Sequence, residues 1–82
     1  INHVWPDAEL VDQTRLLASS IARNPPLSVA LIKQAVNDGT NNDLITSLDL
    51  IASHIAIAKN GPDHIEAINA FKEKREGSYV GF

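Results

Sequence analysis

The sequence predicts an all-α fold of about four helices, joined by short loops that contain proline or glycine. From residue 7 onward, apolar residues recur at intervals of three and four, which is the spacing of one face of an α-helix. Residues that end one helix and begin the next interrupt this pattern at Asn24-Pro25-Pro26, Asn37-Asp38-Gly39 and Asn60-Gly61-Pro62. A chain of 82 residues without cysteine has room for one domain and no disulfide framework.

Residues 1–6 precede the first helix and have a different character. The segment INHVW is short, apolar and partly β-branched, and Pro6 closes it. This composition predicts the end of a β-strand, yet the rest of the chain offers no partner strand, and a single strand cannot pair its own backbone groups. Because the first residue is Ile rather than Met, we expect this chain to be a processed piece or a fragment of a longer protein.

The first two helices are bounded by capping signals. Asp7 is predicted as the N-cap of a helix that ends near Arg23. Asn24 is predicted to cap the second helix, with Pro25 at its first position, where the missing N–H of proline has no cost. Gly39 is predicted to end this helix in a left-handed conformation.

The third helix is apolar on two sides. Thr40 and Asp43 have the spacing of a capping box ahead of residues 44–58. At 100° per residue, Leu50 and Ile57 fall within its polar arc. A small chain cannot cover both sides, so we predict that Leu50 and Ile57 form an interface with another chain. The residues predicted to pack within the chain are Leu44, Leu48, Ile51 and Ile55.

The fourth helix is predicted from Pro62 to Arg75, with Gly77 ending it ahead of an irregular tail. Asp63 and Glu66 lie in its first turns, and such a pair could perform acid–base chemistry. Negative charge near the positive end of the helix dipole explains the same two residues without chemistry. We therefore prefer the structural interpretation.

Composition and spacing exclude several classes of function. The net charge is −3, and a nucleic-acid partner would require a broad basic face. No apolar run approaches the ~20 residues of a membrane span. His3, His54 and His64 have no second histidine at helical spacing, so no metal site is expected. No serine lies in a nucleophile elbow and no glycine-rich phosphate loop occurs. We therefore expect no complete set of catalytic residues in this chain.

The end of the fourth helix gathers positive charge beside an aromatic ring. Lys72, Lys74 and Arg75 follow Phe71 within four positions. An aromatic ring next to an ammonium group is suited to a nucleotide, since the base packs on the ring and a phosphate meets the charge. The alternative is that Phe71 is a core residue and the basic side chains simply solvate a helix end.

Three segments of the chain together have a familiar pattern: NHVWPDAEL, NPPLSVALIKQAVNDG, and AFKEKREGSYVGF preceded by an acidic turn. They resemble the C-terminal third of the enoyl-CoA hydratase/isomerase (crotonase) family. The positions that match the family's ending are Asp63, Glu66, Ala70, Phe71, Glu73, Lys74, Arg75 and Gly81, with Tyr79 in place of a phenylalanine. The positions that depart from the family pattern are Gly61-Pro62 for Ser-Glu, Ala67 for glycine, Gly77 for proline, and Ile51 where glutamate is common.

The resemblance implies that the parent protein is an enoyl-CoA hydratase/isomerase-type lyase acting on an acyl-CoA thioester. Its oxyanion hole and catalytic acids would lie upstream, in an N-terminal spiral domain to which the strand end at residues 1–6 belongs. Residues 7–82 would form the helical domain that closes the acyl-CoA site and builds a homotrimer. Phe71 and Lys74 would lie near the adenine and phosphates of coenzyme A. No tightly bound cofactor is implied, and this chain alone would have no catalytic activity.

A second hypothesis belongs to a different class. The chain could be a stand-alone helical interaction module that binds a partner helix through Leu50 and Ile57. A reading frame that extends far upstream of Ile1 would favour the enzyme, and a start codon just before it would favour the module. No signal peptide is recognisable, so a cytoplasmic location is expected.

Overall fold

The computed structural model describes residues 1–82 and contains four helices and no β-strand. The helices are α1 (Asp7–Ala22), α2 (Pro26–Gly39), α3 (Leu44–Lys59) and α4 (Pro62–Glu73). The predicted all-α fold is confirmed. None of the four is long and apolar enough to cross a membrane. Residues 1–6 adopt no regular structure here, so their assignment to a strand end stays a prediction.

Helix α1 begins one residue earlier than its predicted cap requires, and helix α2 begins one residue later. Pro6, not Asp7, is the N-cap of α1, and its carbonyl accepts hydrogen bonds from the N–H groups of Glu9 and Leu10. Pro25 is the N-cap of α2 with ψ 120°, and Pro26 takes the first helical position. The reason for the second shift is steric, since a residue that precedes proline is excluded from the helical region.

The connection between α2 and α3 also differs from the prediction. Gly39 is the last residue of α2, and Thr40 follows it as a right-handed C-cap with φ −74°. The Thr40 hydroxyl donates to the Asn37 carbonyl at 2.7 Å, so Thr40 completes α2 instead of opening α3. The predicted left-handed Gly39 and the Thr40–Asp43 capping box are therefore wrong.

Asp43 caps α3 alone. Its carboxylate accepts a hydrogen bond from the Thr46 N–H at 3.0 Å and from the Thr46 hydroxyl at 2.7 Å. The hydrogen bond from the Thr46 backbone lowers the pKa of Asp43 below its usual value. A capping box would have made Thr40 the N-cap, so the N-cap of α3 lies three residues later than predicted.

The four helices form a flat, open layer with almost no core. Helix α3 packs against α2 and α4, and α1 has no comparable packing contact. Only Asp63 and Ala70 are buried. The radius of gyration is 15.8 Å, whereas a compact domain of this length would have about 12 Å. Large apolar surfaces on α1 and α3 are consequently exposed to solvent.

Exposure along α3 does not follow the predicted division into an inner and an outer side. Its more protected residues are Ser47, Leu50, His54 and Ala58. The residues predicted to be packed inside are exposed instead, namely Leu44 (73%), Leu48 (55%), Ile51 (39%) and Ile55 (54%). The prediction failed there because α2 and α4 cover only a narrow stripe of α3.

Candidate functional site

The end of the chain folds back onto the start of α4, and Asp63 makes the connection. Its carboxylate accepts a hydrogen bond from the Val80 N–H at 2.7 Å and one from the Gly81 N–H at 2.9 Å. The Asp63 N–H in turn donates to the Phe82 carbonyl at 3.1 Å. Asp63 is only 4% exposed. Its principal contact is therefore with the C-terminal tail (residues 76–82), which sequence reasoning did not anticipate.

Two glycines allow this close approach. Gly61 is the N-cap of α4, and a Cβ atom there would lie 2.5 Å from the Phe82 carbonyl carbon and 2.8 Å from its oxygen. Gly81 has φ +103°, which a residue with a side chain rarely adopts. The tail can reach Asp63 because neither position carries a Cβ atom.

Glu66 binds the other end of the tail. Arg75 Nη1 donates to Glu66 Oε1 at 2.6 Å and Nη2 donates to Oε2 at 3.0 Å. The Ser78 N–H adds a third hydrogen bond to this carboxylate at 2.9 Å. Arg75 Nε also donates to Glu73 Oε2 at 2.5 Å. We call the residues Glu66, Glu73 and Arg75 the Arg75 clamp.

The clamp shifts the ionisation of its members. Hydrogen bonding from Arg75, followed by that from the Ser78 N–H, lowers the pKa of Glu66 from 4.5 to about 2. Hydrogen bonding to Glu66 and Glu73 raises the pKa of Arg75 above its usual range. Arg75 thus stays cationic, Glu66 stays anionic, and the two charges compensate each other.

Helix α4 ends two residues earlier than predicted, and in an unusual way. Lys74 follows Glu73 in the left-handed conformation, with φ 55° and ψ 41°. Its N–H donates to the Phe71 carbonyl at 3.3 Å, and the Arg75 N–H donates to the Ala70 carbonyl at 3.0 Å. This is a Schellman motif, in which glycine usually occupies the place of Lys74.

The sequence predicts that Gly77 ends the helix, and this prediction is wrong. Gly77 lies instead against the Tyr79 side chain, where a Cβ atom would be 2.9 Å from ring atom Cε1 and closer still to the hydroxyl end of the ring. Gly77 is therefore explained by contact with an aromatic ring rather than by a left-handed backbone. The left-handed residue is Lys74, the only residue other than glycine with positive φ.

The basic cluster at the end of α4 has two free members. Arg75 is committed to the clamp, whereas neither Lys72 nor Lys74 donates a hydrogen bond or forms an ion pair through its side chain. Phe71 is 85% exposed, so it is not a core residue of this chain. The predicted ligand contact of Phe71 and Lys74 stays a prediction.

The predicted interface residues differ in exposure. Ile57 is 54% exposed, whereas Leu50 is half-buried. The interface itself stays a prediction. The structure contains no group of three or more His, Cys, Asp or Glu side chains suited to a metal ion.

A shallow groove between α2 and α3 was not predicted. It encloses about 180 Å³ and is mostly apolar, with Ile32, Ala35, Ile51 and Ile55 among its lining. His54 also lines it, and its Nδ1 has no hydrogen-bond partner. The sequence signal for this groove is the presence of small residues on the two facing helices, namely Ser28 and Ala35 on α2 and Ala58 on α3.

Known proteins match this chain over nearly its whole length. Residues 1–81 match the model of the family described as enoyl-CoA hydratase/isomerase. The chain is 36% identical over 78 residues to the 1,2-epoxyphenylacetyl-CoA isomerase of Escherichia coli (strain K12), covering 95% of this chain and 30% of that protein. It is 33% identical over 76 residues to the short-chain-enoyl-CoA hydratase of Clostridium acetobutylicum, covering 93% of this chain and 29% of that protein.

A solved structure has the same fold. The crystal structure of an enoyl-CoA hydratase from Bacillus anthracis superposes with a TM-score of 0.93 at 34% identity, covering 96% of this chain and 31% of that one. The chain therefore spans about three-tenths of the length of the relatives it matches.

Proposed function

This chain belongs to the enoyl-CoA hydratase/isomerase family, and we propose on that basis that it is the C-terminal helical domain of a longer enzyme that acts on acyl-CoA thioesters. In this proposal residues 7–82 close the acyl-CoA site and assemble the enzyme into a homo-oligomer, a trimer as the resemblance implies. The oxyanion hole that stabilises the thioester enolate lies upstream in the sequence, as do the catalytic residues.

The observation that carries the proposal is the pairing of a free ammonium with an exposed ring at the end of α4. Lys74 is unpaired while Arg75 beside it is fully engaged, and Phe71 is 85% exposed. A free lysine is a good partner for a phosphate, and an exposed ring can stack on a base. We propose that Phe71 contacts the adenine of coenzyme A and that Lys74 contacts its phosphates.

The open architecture supports the assembly part of the proposal. Exposed apolar side chains on one helix, such as Ile45 (74%), Leu48 (55%) and Ile57 (54%), form a surface that a stable protein normally covers. With Ala70 as the only buried apolar residue, a chain of this size has little to hold it folded by itself. The rest of the enzyme and a neighbouring subunit would supply the cover.

Coenzyme A binding tests the ligand contact directly. The intact protein would be titrated with coenzyme A in a calorimeter, together with the Phe71→Ala and Lys74→Ala variants. Lys33→Ala is the matched control, since Lys33 is an exposed lysine on α2. We expect both test variants to bind more weakly and the control to bind normally. Unchanged binding by Lys74→Ala would refute the assigned contact.

Sedimentation tests the assembly. The 82-residue chain would be centrifuged over a concentration series, with and without coenzyme A. We expect self-association that weakens when Leu50 and Ile57 are made polar, with Ile65→Gln as the control for an exposed isoleucine outside α3. A monomer at all concentrations that ignores coenzyme A would instead favour the stand-alone interaction module.

A further inference from the structure

We infer that Glu66 is a positioning residue for Lys74. Through Arg75 it holds the left-handed turn that presents the Lys74 ammonium to the phosphates of coenzyme A. The inference rests on the proposed function, because it takes the coenzyme A contact of Lys74 as given. Glu66 itself touches no ligand, yet it controls the contact that Lys74 makes with coenzyme A.

The turn at Lys74 is one that the lysine does not favour by itself. Its φ of 55° and ψ of 41° place it in the left-handed region, where the Cβ atom of an L-residue is crowded by the following carbonyl oxygen. Such a conformation persists at a residue other than glycine only when its surroundings fix it, and it is often found where a side chain has a function. Something outside Lys74 must therefore hold the turn.

The Arg75 clamp supplies this restraint from both sides of Lys74. Glu73 precedes Lys74 and Arg75 follows it, and their side chains are paired with each other at 2.5 Å. Glu66 then anchors Arg75 to α4 through the two terminal guanidinium nitrogens, Nη1 at 2.6 Å and Nη2 at 3.0 Å. A two-pronged contact of this kind fixes direction as well as distance. The backbone at Lys74 is thereby tied to the helix that precedes it.

The tail reinforces the same anchor. The Ser78 N–H donates to Glu66 Oε1 at 2.9 Å, and Arg75 Nη1 also donates to the Glu76 carbonyl at 3.1 Å. Arg75 and Ser78, which both follow the turn, thus converge on one carboxylate. Loss of that carboxylate would free Arg75, the turn and the start of the tail together.

Electrostatics alone predicts the opposite effect on binding. Removing the negative charge of Glu66 makes the neighbourhood of Lys74 more positive, which by itself should strengthen binding of a phosphate. Positioning predicts weaker binding, because Lys74 loses its fixed direction. The sign of the change therefore separates the two effects.

The first experiment measures coenzyme A affinity in the intact protein. We expect Glu66→Gln to weaken it by about fivefold or more, as for coupled sites generally. The matched control is Glu76→Gln, which removes one negative charge from the same segment but belongs to no ion pair, and we expect unchanged or slightly tighter binding. Pantetheine, which lacks the nucleotide phosphates, should bind equally to all variants and so report that the protein is folded.

A second variant breaks the clamp without changing the charge. Arg75→Lys keeps the positive charge and loses the planar fork that Glu66 holds. We expect it to weaken coenzyme A binding as Glu66→Gln does. Normal coenzyme A binding by both variants would overturn the inference, whatever the result for Lys74.

A double-mutant cycle then separates this inference from the proposed function. If Glu66 acts through Lys74, Glu66→Gln should have no further effect on coenzyme A affinity in a Lys74→Ala background. An undiminished effect in that background would overturn the positioning role and leave the proposed function intact. Normal binding by Lys74→Ala alone would instead refute the proposed contact, and the positioning role with it.

Discussion

The Asp63 carboxylate and the Val80 N–H are joined by a hydrogen bond of 2.7 Å across 17 positions of sequence. The Gly81 N–H donates to the other oxygen of the same carboxylate at 2.9 Å. These bonds bring the end of the chain onto the first turn of α4, and Asp63 is nearly fully buried beneath them. The tail is therefore a structured part of the molecule, and Asp63 is the residue on which its last turn depends.

Replacing Asp63 with asparagine should release the end of the tail. Asparagine keeps one acceptor oxygen but turns an amide group toward the second N–H donor, so one partly buried donor loses its partner. We expect the free energy of unfolding to fall by about 1–3 kcal/mol, measured by urea denaturation. Hydrogen exchange at Val80 and Gly81 should accelerate. The control is Asp49→Asn, at an exposed position on α3, and equal effects of the two substitutions would contradict this role.

Gly61→Ala should displace the tail by steric overlap. The new Cβ atom would lie 2.5 Å from the Phe82 carbonyl carbon, so we expect the hydrogen bond from the Asp63 N–H to Phe82 to break. Limited proteolysis of the C-terminus would detect the released tail. Gly39→Ala is the matched control, since its Cβ atom would meet only the Ser47 hydroxyl at 3.9 Å. It should stabilise the end of α2 by about 0.5–1 kcal/mol, and tail release by this variant as well would refute the steric explanation.

Local patterns were sufficient to predict the helices, because each helix is encoded by its own spacing and its own breakers. The errors occurred at single residues where two local rules compete. Pro25 was placed in the helix by its preference for the first position, but Pro26 behind it excludes the helical conformation. Gly39 was given a left-handed conformation by its residue type, but Thr40 closes the helix with its own hydroxyl.

The candidate site could be predicted only in part, because its key contacts join residues far apart in sequence. Phe71 and Lys74 were identified from their proximity along the chain. The partners of Glu66, by contrast, are Arg75, nine residues away, and Ser78, twelve residues away. No helical periodicity encodes such contacts. The same contacts explain why the left-handed residue is Lys74 and not Gly77, because the Arg75 clamp fixes the turn at Lys74, three residues before Gly77.

Acid should open the Arg75 clamp, in a pH range set by Glu66. The pKa of Glu66 is about 2 in the folded chain against 4.5 for an ordinary glutamate. Because the folded value is the lower one, the contribution of Glu66 to stability is complete above about pH 4.5 and is lost as the pH falls through 2. The stability difference between the native protein and Glu66→Gln should therefore be constant near neutrality and shrink over that range.

The Ser78 N–H offers a direct measurement, since it donates to the Glu66 carboxylate at 2.9 Å. Its NMR chemical shift should follow the ionisation of Glu66 with a midpoint near pH 2. In Glu66→Gln this acid transition of Ser78 should disappear. A midpoint near pH 4.5 in the native protein would mean that the clamp is not formed in solution.

Lys74 should be the one lysine of the cluster at which glycine stabilises the protein more than alanine. Both substitutions remove the ammonium group, but only alanine keeps the Cβ atom that the left-handed conformation crowds. Lys74→Gly should therefore exceed Lys74→Ala by about 1 kcal/mol in free energy of unfolding. Lys72 lies within α4, where glycine is about 1 kcal/mol worse than alanine, so the order should reverse there. Thermal unfolding of the four variants measures both differences, and the same order at both positions would mean that Lys74 is not held in a left-handed turn.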